Sequence, residues 1–541
     1  HTDRAWPTVR EVTIARMRFT KTQTAYALLV VCASARLLLQ MAAIPPYAGL
    51  DEVYHVARLA FVRAEHRNPT TSEASIPPYL MRSIANGRNA GVLAGWPAGV
   101  PRLRSFDTAM PAMGEAGEQW PMVVSRQPIV IDRPLTTADL KPYIVKNYEA
   151  QQASLYYSLV APLVPVRSAL FELRAWRAMS MLFALITVLA TAEIGRRWFG
   201  PIGILGGALL VSLPTWETLV MRAGNDAFAC MLAAIAVLIS VSAPKRLIGI
   251  AAEAIVWGLA LNAKMYTWTL LIILPLLWRR QRASKSRVIA VAIVAAIAVL
   301  LTFAELSART QNPLGVVAFD RPGGVVYVAK VNIGEIVRVT IASFAWTSGQ
   351  HNDALRPIAI ALYLVPIFAV AILAVRRRDA AGPAGVTPAF LALGAFALAQ
   401  TYNVVACVLA NRGGNPIPIG GKEGWYWYVL APVIIPALLV PAVKRWRAAA
   451  WWIVIWDVII TEVALFHDFA GMTSNAHGSI LFRWGPLHAP FTAHLDGIGV
   501  GPFAAWTTAI RIVHLAAFFG LESFLQHMRL NDRNTDTSGA G

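Results

Sequence analysis

Residues 288–306, VIAVAIVAAIAVLLTFAEL, form a continuous apolar stretch that decides the fold class of this chain. Its one charged residue, Glu305, lies near its end, and the basic run from Arg279 to Arg287 lies directly before it. A helix of about 20 apolar residues is long enough to cross the hydrocarbon core of a membrane. Basic residues beside such a helix are typical of its cytoplasmic end. The stretch therefore predicts a membrane-spanning helix that begins on the cytoplasmic side.

The composition of the whole chain agrees with a protein dissolved in lipid. Of its 541 residues, 56% are hydrophobic and 14% are charged, and the mean hydropathy is +0.52. A soluble domain of this size needs far more polar surface. The formal net charge of +18 comes from short basic clusters between apolar runs, and no nucleic-acid-binding motif accompanies them. The charge therefore indicates cytoplasmic loops and argues against nucleic acid as a partner.

Similar apolar stretches recur along the chain and predict about twelve transmembrane helices. The predicted spans cover residues 24–44, 175–194, 201–220, 226–243, 247–262, 265–278, 288–306, 356–375, 388–411, 427–443, 449–466 and 503–525. Basic clusters follow every second span, at Arg196-Arg197, Lys245-Arg246, Arg279 to Arg287, Arg376 to Arg378 and Lys444 to Arg447. These clusters all fall on the side of the basic N-terminal segment, so we expect both chain ends in the cytoplasm. The predicted fold class is an all-α polytopic membrane protein.

The predicted organisation is one transmembrane domain over residues 22–526, between a cytoplasmic segment at 1–21 and a cytoplasmic tail at 527–541. Its first extracytoplasmic loop, residues 45–174, is too long for a connector and is expected to carry helices lying on the membrane surface. Further outer loops are predicted at residues 307–355, 412–425 and 467–502. Because long loops on one face of a scaffold usually carry function, we expect the chemistry on the extracytoplasmic side.

The most distinctive local motif, YAGLDEVYHVAR at residues 47–58, follows the first predicted span. On a helix that begins at Asp51, the side chains of Asp51, His55 and Arg58 share one face. The opposite stripe is apolar and could lie on the bilayer; it consists of Val53, Ala57, Ala60, Phe61 and Ala64. Acidic residues at a helix start also cap free N–H groups, so a purely structural role is the alternative.

A metal site is a second alternative for the same motif. Glu52 and His55 form Glu-x-x-His, which di-iron sites in helical bundles use twice, but the sequence contains no second copy. A single divalent cation, Mg²⁺ or Mn²⁺, held by Asp51 and Glu52 stays open. No other cofactor is expected.

An acidic pair directly after the first transmembrane helix, followed by a histidine and a long outer loop, resembles the GT-C superfamily of membrane glycosyltransferases. That family includes protein O-mannosyltransferases, lipid A aminoarabinose transferases and related bacterial proteins. The likeness covers about residues 22–445 in organisation, and Asp51-Glu52 is its most specific element. The resemblance implies a sugar donor carried on polyprenyl phosphate. It also implies that Asp51 is the catalytic base or a metal-associated acid, with Glu52 and His55 beside it as catalytic residues.

Further segments are similar to family positions, with two departures from the family pattern. Ala153-Ser154 stands where the family has Pro-Pro, and the expected Arg-Tyr is absent from the aromatic segment at 424–428, where Lys422 could substitute for the arginine. The resemblance implies that the substrate site is lined by Tyr54, Tyr148, Gln152, Tyr156, Asn225, Asp226, Trp346 and Trp425.

Transfer from a lipid phosphate needs a base near the acceptor hydroxyl and cations near the leaving phosphate. The candidate phosphate-binding residues on the outer side are Lys264, Arg58, Arg222, Arg321, Lys422 and Arg483. The alternative for each is contact with lipid headgroups. Lys264 stands out because it lies between two short spans, where a charge is costly.

A separate set of charged residues falls within the predicted spans: Arg36, Glu253, Asp457, Glu462 and Arg511. Such residues are expected to face other helices as pairs, for example Arg36 or Arg511 with Asp457. In a transporter they would form a relay, and in a transferase they would be structural.

The function expected from the sequence is an inverting glycosyltransferase in a bacterial inner membrane, with its site facing the periplasm or cell exterior. It would move a sugar from a polyprenyl-phosphate donor to a glycan, lipid or protein acceptor. Two alternatives stay open: a transporter or flippase of a lipid-linked saccharide, and a ligase that uses a diphosphate donor.

Overall fold

The computed structural model describes residues 20–43, 52–70, 73, 152–165, 169–310, 386–410, 424–472 and 503–538, with single positions between 340 and 372. All regular secondary structure in these ranges is helical. Asp51 and most of the first outer loop lie outside the described residues. The all-α prediction is therefore confirmed for the part of the chain that is described.

The described residues form fifteen α-helices. In order they are α1 (Lys21–Ala43), α2 (Glu52–Glu65), α3 (Leu155–Val160), α4 (Ala169–Phe199), α5 (Leu205–Val211), α6 (Pro214–Met221), α7 (Asn225–Val241), α8 (Leu247–Ala263), α9 (Leu274–Gln281), α10 (Lys285–Thr310), α11 (Val386–Ala410), α12 (Ala431–Ile434), α13 (Val440–Arg445), α14 (Arg447–Met472) and α15 (Phe503–Ser538). Shorter 3₁₀-helical turns lie at Ala161–Leu163, Pro201–Ile204, Met265–Ile273 and Gly424–Leu430, and a π-helical turn at Ile435–Leu439 joins α12 to α13.

Five described helical segments are long and apolar enough to cross a membrane. They are Lys21–Met41, Phe171–Phe199, Lys285–Thr310, Gly424–Arg445 and Thr508–Arg529. They correspond to the spans predicted at 24–44, 175–194, 288–306, 427–443 and 503–525. The prediction of a membrane protein is thereby confirmed in its general form.

The span predicted at 201–220 is broken, which corrects the expectation of one continuous helix. Its two pieces, Pro201–Val211 and Pro214–Met221, meet at an angle of 71°. Pro214 has no N–H to continue the preceding helix, and it disfavours the helical conformation of Leu213, which is extended. The break directs α6 and the residues after it into the interior of the bundle.

The helices pack closely where their side chains are small. α1 runs along α15, α4 runs along α7, and α8 lies between α7 and α10. At the turn after α4, a side chain on Gly203 would overlap the backbone carbonyl of Gly195. A side chain on Gly207 would lie 2.8 Å from the carbonyl oxygen of Val188. Small residues four apart allow such close approach between membrane helices.

The helix predicted to begin the first outer loop is buried in protein. Along α2, described side chains from Glu52 to Val62 are buried with the exception of the half-buried Phe61. The expectation that Ala57 and Ala60 lie on the bilayer is therefore wrong, since both pack into the hydrophobic core or its edge. Polar partners from α3, α4 and the α6–α7 connection surround the helix and draw it inward.

Three of the five charged residues predicted inside the spans, Arg36, Glu253 and Asp457, form ion pairs, as the sequence predicted. The guanidinium of Arg36 on α1 lies 3.0 Å from a carboxylate oxygen of Asp457 on α14. It also lies 2.5 Å from Glu217 on α6, a partner that the sequence did not indicate. Glu253 on α8 pairs with Arg287 on α10. These contacts join helices that are far apart in the chain.

Candidate active site

The candidate site lies where α6 ends, α7 begins, α8 ends and α2 passes. Arg222 and Gly224, between α6 and α7, have extended backbones. The short extended segment Arg222–Gly224 therefore interrupts the helical path and places its side chains and N–H groups in the interior. Lys264 is likewise extended, at the end of α8.

Asp226 is the acidic centre of this site. Its carboxylate pairs with both Arg222 and Lys264, and all three side chains are buried. The Lys264 ammonium also lies 3.5 Å from the Asn225 side-chain oxygen. The sequence predicted Lys264 and Arg222 as phosphate-binding residues and Asn225 and Asp226 as substrate-lining residues. The structure brings these four residues together.

His55 lies beside this charged group on the buried face of α2. Its Nδ1 atom and the Tyr157 hydroxyl form a hydrogen bond of 2.6 Å. A side chain on Gly224 would come within 3.0 Å of the His55 ring, so glycine permits the close approach of that segment. Burial and the positive charge of Arg222 hold the pKa of His55 well below its usual 6.5. The imidazole is therefore neutral.

Glu52 anchors the site instead of facing an open cavity. The guanidinium of Arg177 on α4 donates to both of its carboxylate oxygens, at 2.7 and 2.6 Å. The backbone N–H of Ala223 donates to the same carboxylate at 2.9 Å. Glu52 thereby joins α2, α4 and the segment between α6 and α7. With both oxygens bonded to Arg177, this geometry favours the ion pair over a metal-ligand role for Glu52.

A second group of contacts surrounds the backbone of Gln152. Arg58 and Arg309 both donate to its carbonyl oxygen, at 2.9 and 2.6 Å. Arg58 also stacks on the Tyr157 ring at 3.8 Å and donates to the Asn68 side chain. The Gln152 side-chain oxygen accepts a 3.4 Å hydrogen bond from the Asn225 amide. These contacts link Gln152 to the Asp226 group through Asn225.

Aromatic rings border the site on the side of α11 and residues 424–430. The Lys264 ammonium lies 5.6 Å from the centre of the Tyr426 ring, which stacks on Tyr266 at 4.6 Å. Trp425 is half-buried and lies 5.8 Å from Tyr426. Tyr54 and Tyr156, predicted to line the substrate site, are buried in the hydrophobic core below it.

Several residues of this site were not found from the sequence: Tyr157, Arg177, Ala223 and Arg309. Their partners in these contacts lie between 102 and 171 residues away, so no local spacing connects them. The one available signal was for Arg309, a basic residue just beyond the outer end of the span at 288–306. Six predicted site residues lie outside the described residues, and their roles stay predictions: Asp51, Tyr148, Arg321, Trp346, Lys422 and Arg483.

The described part of the chain contains no group of three or more His, Cys, Asp or Glu side chains that could hold a metal ion. Because Asp51 lies outside that part, a divalent cation at Asp51 and Glu52 stays a prediction. Both Glu52 oxygens accept hydrogen bonds from Arg177, so such an ion would compete with Arg177 for Glu52.

The fold and this buried group of charges define a helical membrane protein with an ionic site at one end of its bundle. Two solved structures of ArnT from Cupriavidus metallidurans are similar to the chain, one bound to undecaprenyl phosphate and one in the apo state. Each alignment has 14% sequence identity and a TM-score of 0.40, and it covers 93% of this chain. It covers 77% of the ArnT chain in the first structure and 76% in the second. No protein-family model matches the sequence, and no curated protein matches it.

Proposed function

We propose that this protein is a membrane glycosyltransferase that transfers a sugar from a polyprenyl-phosphate donor. The observation that supports it is the charge around His55. Buried charged side chains near this ring include Arg58, Arg222, Lys264 and Asp226. All four are buried. Two of these cations, Arg222 and Lys264, converge on one carboxylate in a buried site, and such a convergence of cations suits an anionic ligand such as a phosphate.

The proposed reaction assigns each group a role. The acceptor hydroxyl attacks the anomeric carbon as Asp51 accepts its proton, so the carbon–oxygen bond to the phosphate breaks and the configuration inverts. The electron pair of that bond stays on the polyprenyl phosphate. Lys264 and Arg222 stabilise this leaving group, which gains negative charge in the transition state. Neutral His55 orients the reacting groups by hydrogen bonding. A divalent cation, if bound, would add positive charge at the same phosphate.

Other predicted residues complete the proposal. Arg321, Lys422 and Arg483 would approach the donor phosphate from the outer loops. Tyr148, Trp346 and Trp425 would contact the sugar or the first prenyl units. Glu52 would act by holding the segment that carries Arg222 in place.

The proposed arrangement in the membrane follows from the basic clusters. Twelve spans with both chain ends in the cytoplasm would place the candidate site on the extracytoplasmic side of a bacterial inner membrane. The donor lipid would enter between helices from the outer half of the bilayer. The acceptor would be a glycan, a lipid or a protein.

Transfer by the purified, reconstituted protein from a panel of labelled polyprenyl-phosphate sugars tests the proposal. The parent should consume one donor, and Asp51→Asn should lower its rate by about 10²–10⁴-fold, the usual contribution of a positioned base. Asp107→Asn, in the same outer loop, is the matched control and should leave the rate unchanged. Undiminished transfer by Asp51→Asn would remove Asp51 from the mechanism. Consumption of diphosphate-linked donors alone would instead indicate a glycan ligase.

Transport of a lipid-linked saccharide is the second candidate, and one observation favours it. Two buried carboxylates, Glu217 and Asp457, share the single guanidinium of Arg36, and Glu217 lies on the broken α5–α6 pair. Broken helices with charged residues often mark transport sites. Asp457→Asn discriminates the two functions: a transporter should lose flux, whereas a transferase should keep its donor KM and lose stability.

A further inference from the structure

An apolar groove lies on the outside of the bundle between α1, α4 and α7. Its volume is about 850 Å³. Val30 and Val31 of α1 form one wall, and Leu189 of α4 and Ile235 of α7 form the others. Val30 and Val31 are 38% and 46% exposed, so among the described residues this wall faces outward. In a membrane this surface meets lipid.

The groove is remote from the candidate active site. Arg177, which binds Glu52, and Glu193, which closes the groove, lie on the same helix sixteen residues apart. At 1.5 Å per residue that separation is about 24 Å. The groove lies at the end of the bundle that carries the basic clusters, and the site lies at the other end.

The polar end of the groove is a group of four side chains. The Tyr26 hydroxyl donates to Glu193 at 2.6 Å. Arg196 donates to both oxygens of the same carboxylate, each at 2.6 Å, and Arg197 donates to one of them at 3.0 Å. Two cations therefore share one carboxylate. Both arginine side chains are more than one third exposed, so their surplus charge is accessible.

We propose that this groove binds one hydrocarbon chain of an anionic phospholipid, whose phosphate contacts Arg196 and Arg197. The apolar walls match the chain, and the positive charge of the two exposed guanidinium groups matches a phosphate. Basic residues at the cytoplasmic surface attract anionic lipids in that leaflet. A peptide is a poor occupant, because hydrocarbon would leave its backbone groups without hydrogen bonds. A zwitterionic lipid would leave the positive surplus unmatched.

Native mass spectrometry of the full chain in detergent tests the proposal, with dioleoylphosphatidylglycerol and dioleoylphosphatidylcholine as probes. The parent should retain one phosphatidylglycerol molecule under conditions that remove phosphatidylcholine. Arg196→Gln/Arg197→Gln should weaken that retention by about tenfold. This is less than two full arginine–phosphate contacts would contribute, because both guanidinium groups also bind Glu193. The matched control, Arg279→Gln/Arg280→Gln, removes the same charge from the exposed end of α9 and should retain the lipid.

A second variant tests the groove itself without changing charge. Val31→Trp should fill the groove from its exposed rim and reduce retention. Ile293→Trp, at a similarly exposed position on α10, should not. Circular dichroism and size-exclusion chromatography establish that each variant is folded before its lipids are compared.

Three results would overturn the proposal. Equal loss of phosphatidylglycerol retention in the two double-arginine variants would mean that the lipid is attracted to any basic surface of the protein. Equal retention of the two phospholipids would mean that the headgroup is not recognised. Displacement of phosphatidylglycerol by an equimolar polyprenyl phosphate would assign the groove to the carrier lipid. None of these measurements depends on the proposed transferase activity.

Discussion

Two buried ionic networks lie at opposite ends of the same helices, and they differ in charge. At the basic end, Arg287 donates to both oxygens of Glu253, at 2.6 and 2.8 Å. It also donates to the Gln281 side chain at 2.7 Å and to the Ser240 carbonyl at 3.0 Å. One cation meets one anion, and two neutral groups accept further hydrogen bonds from the same guanidinium.

At the other end, one carboxylate serves several cations. Asp226 pairs with Arg222 and Lys264, and Arg58 adds a third positive charge near His55. Both networks are buried, so burial alone does not distinguish a structural network from a site. The composition of the two networks does: Arg287 meets one carboxylate and neutral groups, whereas two cations, Arg222 and Lys264, converge on Asp226.

The largest expected effect is on the neutral network. Arg287→Met should lower the free energy of unfolding by about 3–5 kcal/mol, because it leaves Glu253 buried without its cation. Thermal unfolding in detergent measures this loss. The double variant Glu253→Met/Arg287→Met should recover most of it, since an apolar pair of similar volume leaves no uncompensated charge. A single variant as stable as the parent would contradict the structural role of this pair.

Lys264→Met should instead lower kcat for transfer, by about a hundredfold, because it removes a donor to the leaving phosphate. Stability should change little, since Asp226 keeps its ion pair with Arg222. Lys245→Met, at an exposed position on the basic end, is the control and should keep full activity. If Lys264→Met loses stability and keeps its kcat, the Asp226 network is structural in the same way as the Glu253–Arg287 network.

Arg309→Gln should have a smaller effect, about a tenfold loss in kcat/KM. Gln152 would keep the hydrogen bond from Arg58 and lose the one from Arg309, so its side chain would be held less firmly beside Asn225. Arg309→Lys should restore part of the loss, since one donor remains. Steady-state kinetics with the identified donor measure both variants, and an unchanged kcat/KM would show that the second arginine is not needed.

A modest dependence of stability on pH is expected from His55. Its pKa is held below 6.5 in the fold, so the unfolded chain binds a proton there that the folded chain does not. Stability should therefore be highest above pH 6.5 and should fall as the pH drops below that value. His55→Gln should remove this part of the dependence, while His66→Gln, an exposed control, should not. Parallel curves for His55→Gln and the parent would contradict a buried neutral imidazole.

The sequence predicted the helical membrane architecture well because apolar length is a local property. The run at 288–306 needs no knowledge of its neighbours to be read as a span, and α10 occupies it. The break between α5 and α6 was missed although Pro214 was visible, because a proline within an apolar run permits a kink as well as a break. The burial of α2 was missed because its apolar stripe fits a bilayer and a protein core equally well.

The candidate site shows the same division. Lys264 and Arg222 were found because isolated charges beside apolar spans are costly and therefore conspicuous. Asp226 was predicted as a substrate-lining residue and not as the partner of both cations. Arg177 and Arg309, which hold Glu52 and Gln152, carried no motif. An ion pair between distant helices depends on which helix faces come together. The separation of two residues in the sequence does not predict this.

The sequence by itself determined that this chain is a helical membrane protein, with basic clusters at one end of its predicted spans and long loops at the other. It could do so because hydropathy and charge are properties of each segment separately. Only the tertiary structure decided which charges meet and how many cations converge on one carboxylate. Glu253 with Arg287, and Asp226 with Arg222 and Lys264, look alike as isolated charged residues in apolar surroundings. They differ because Coulomb interactions fall with distance in space, and folding alone sets those distances.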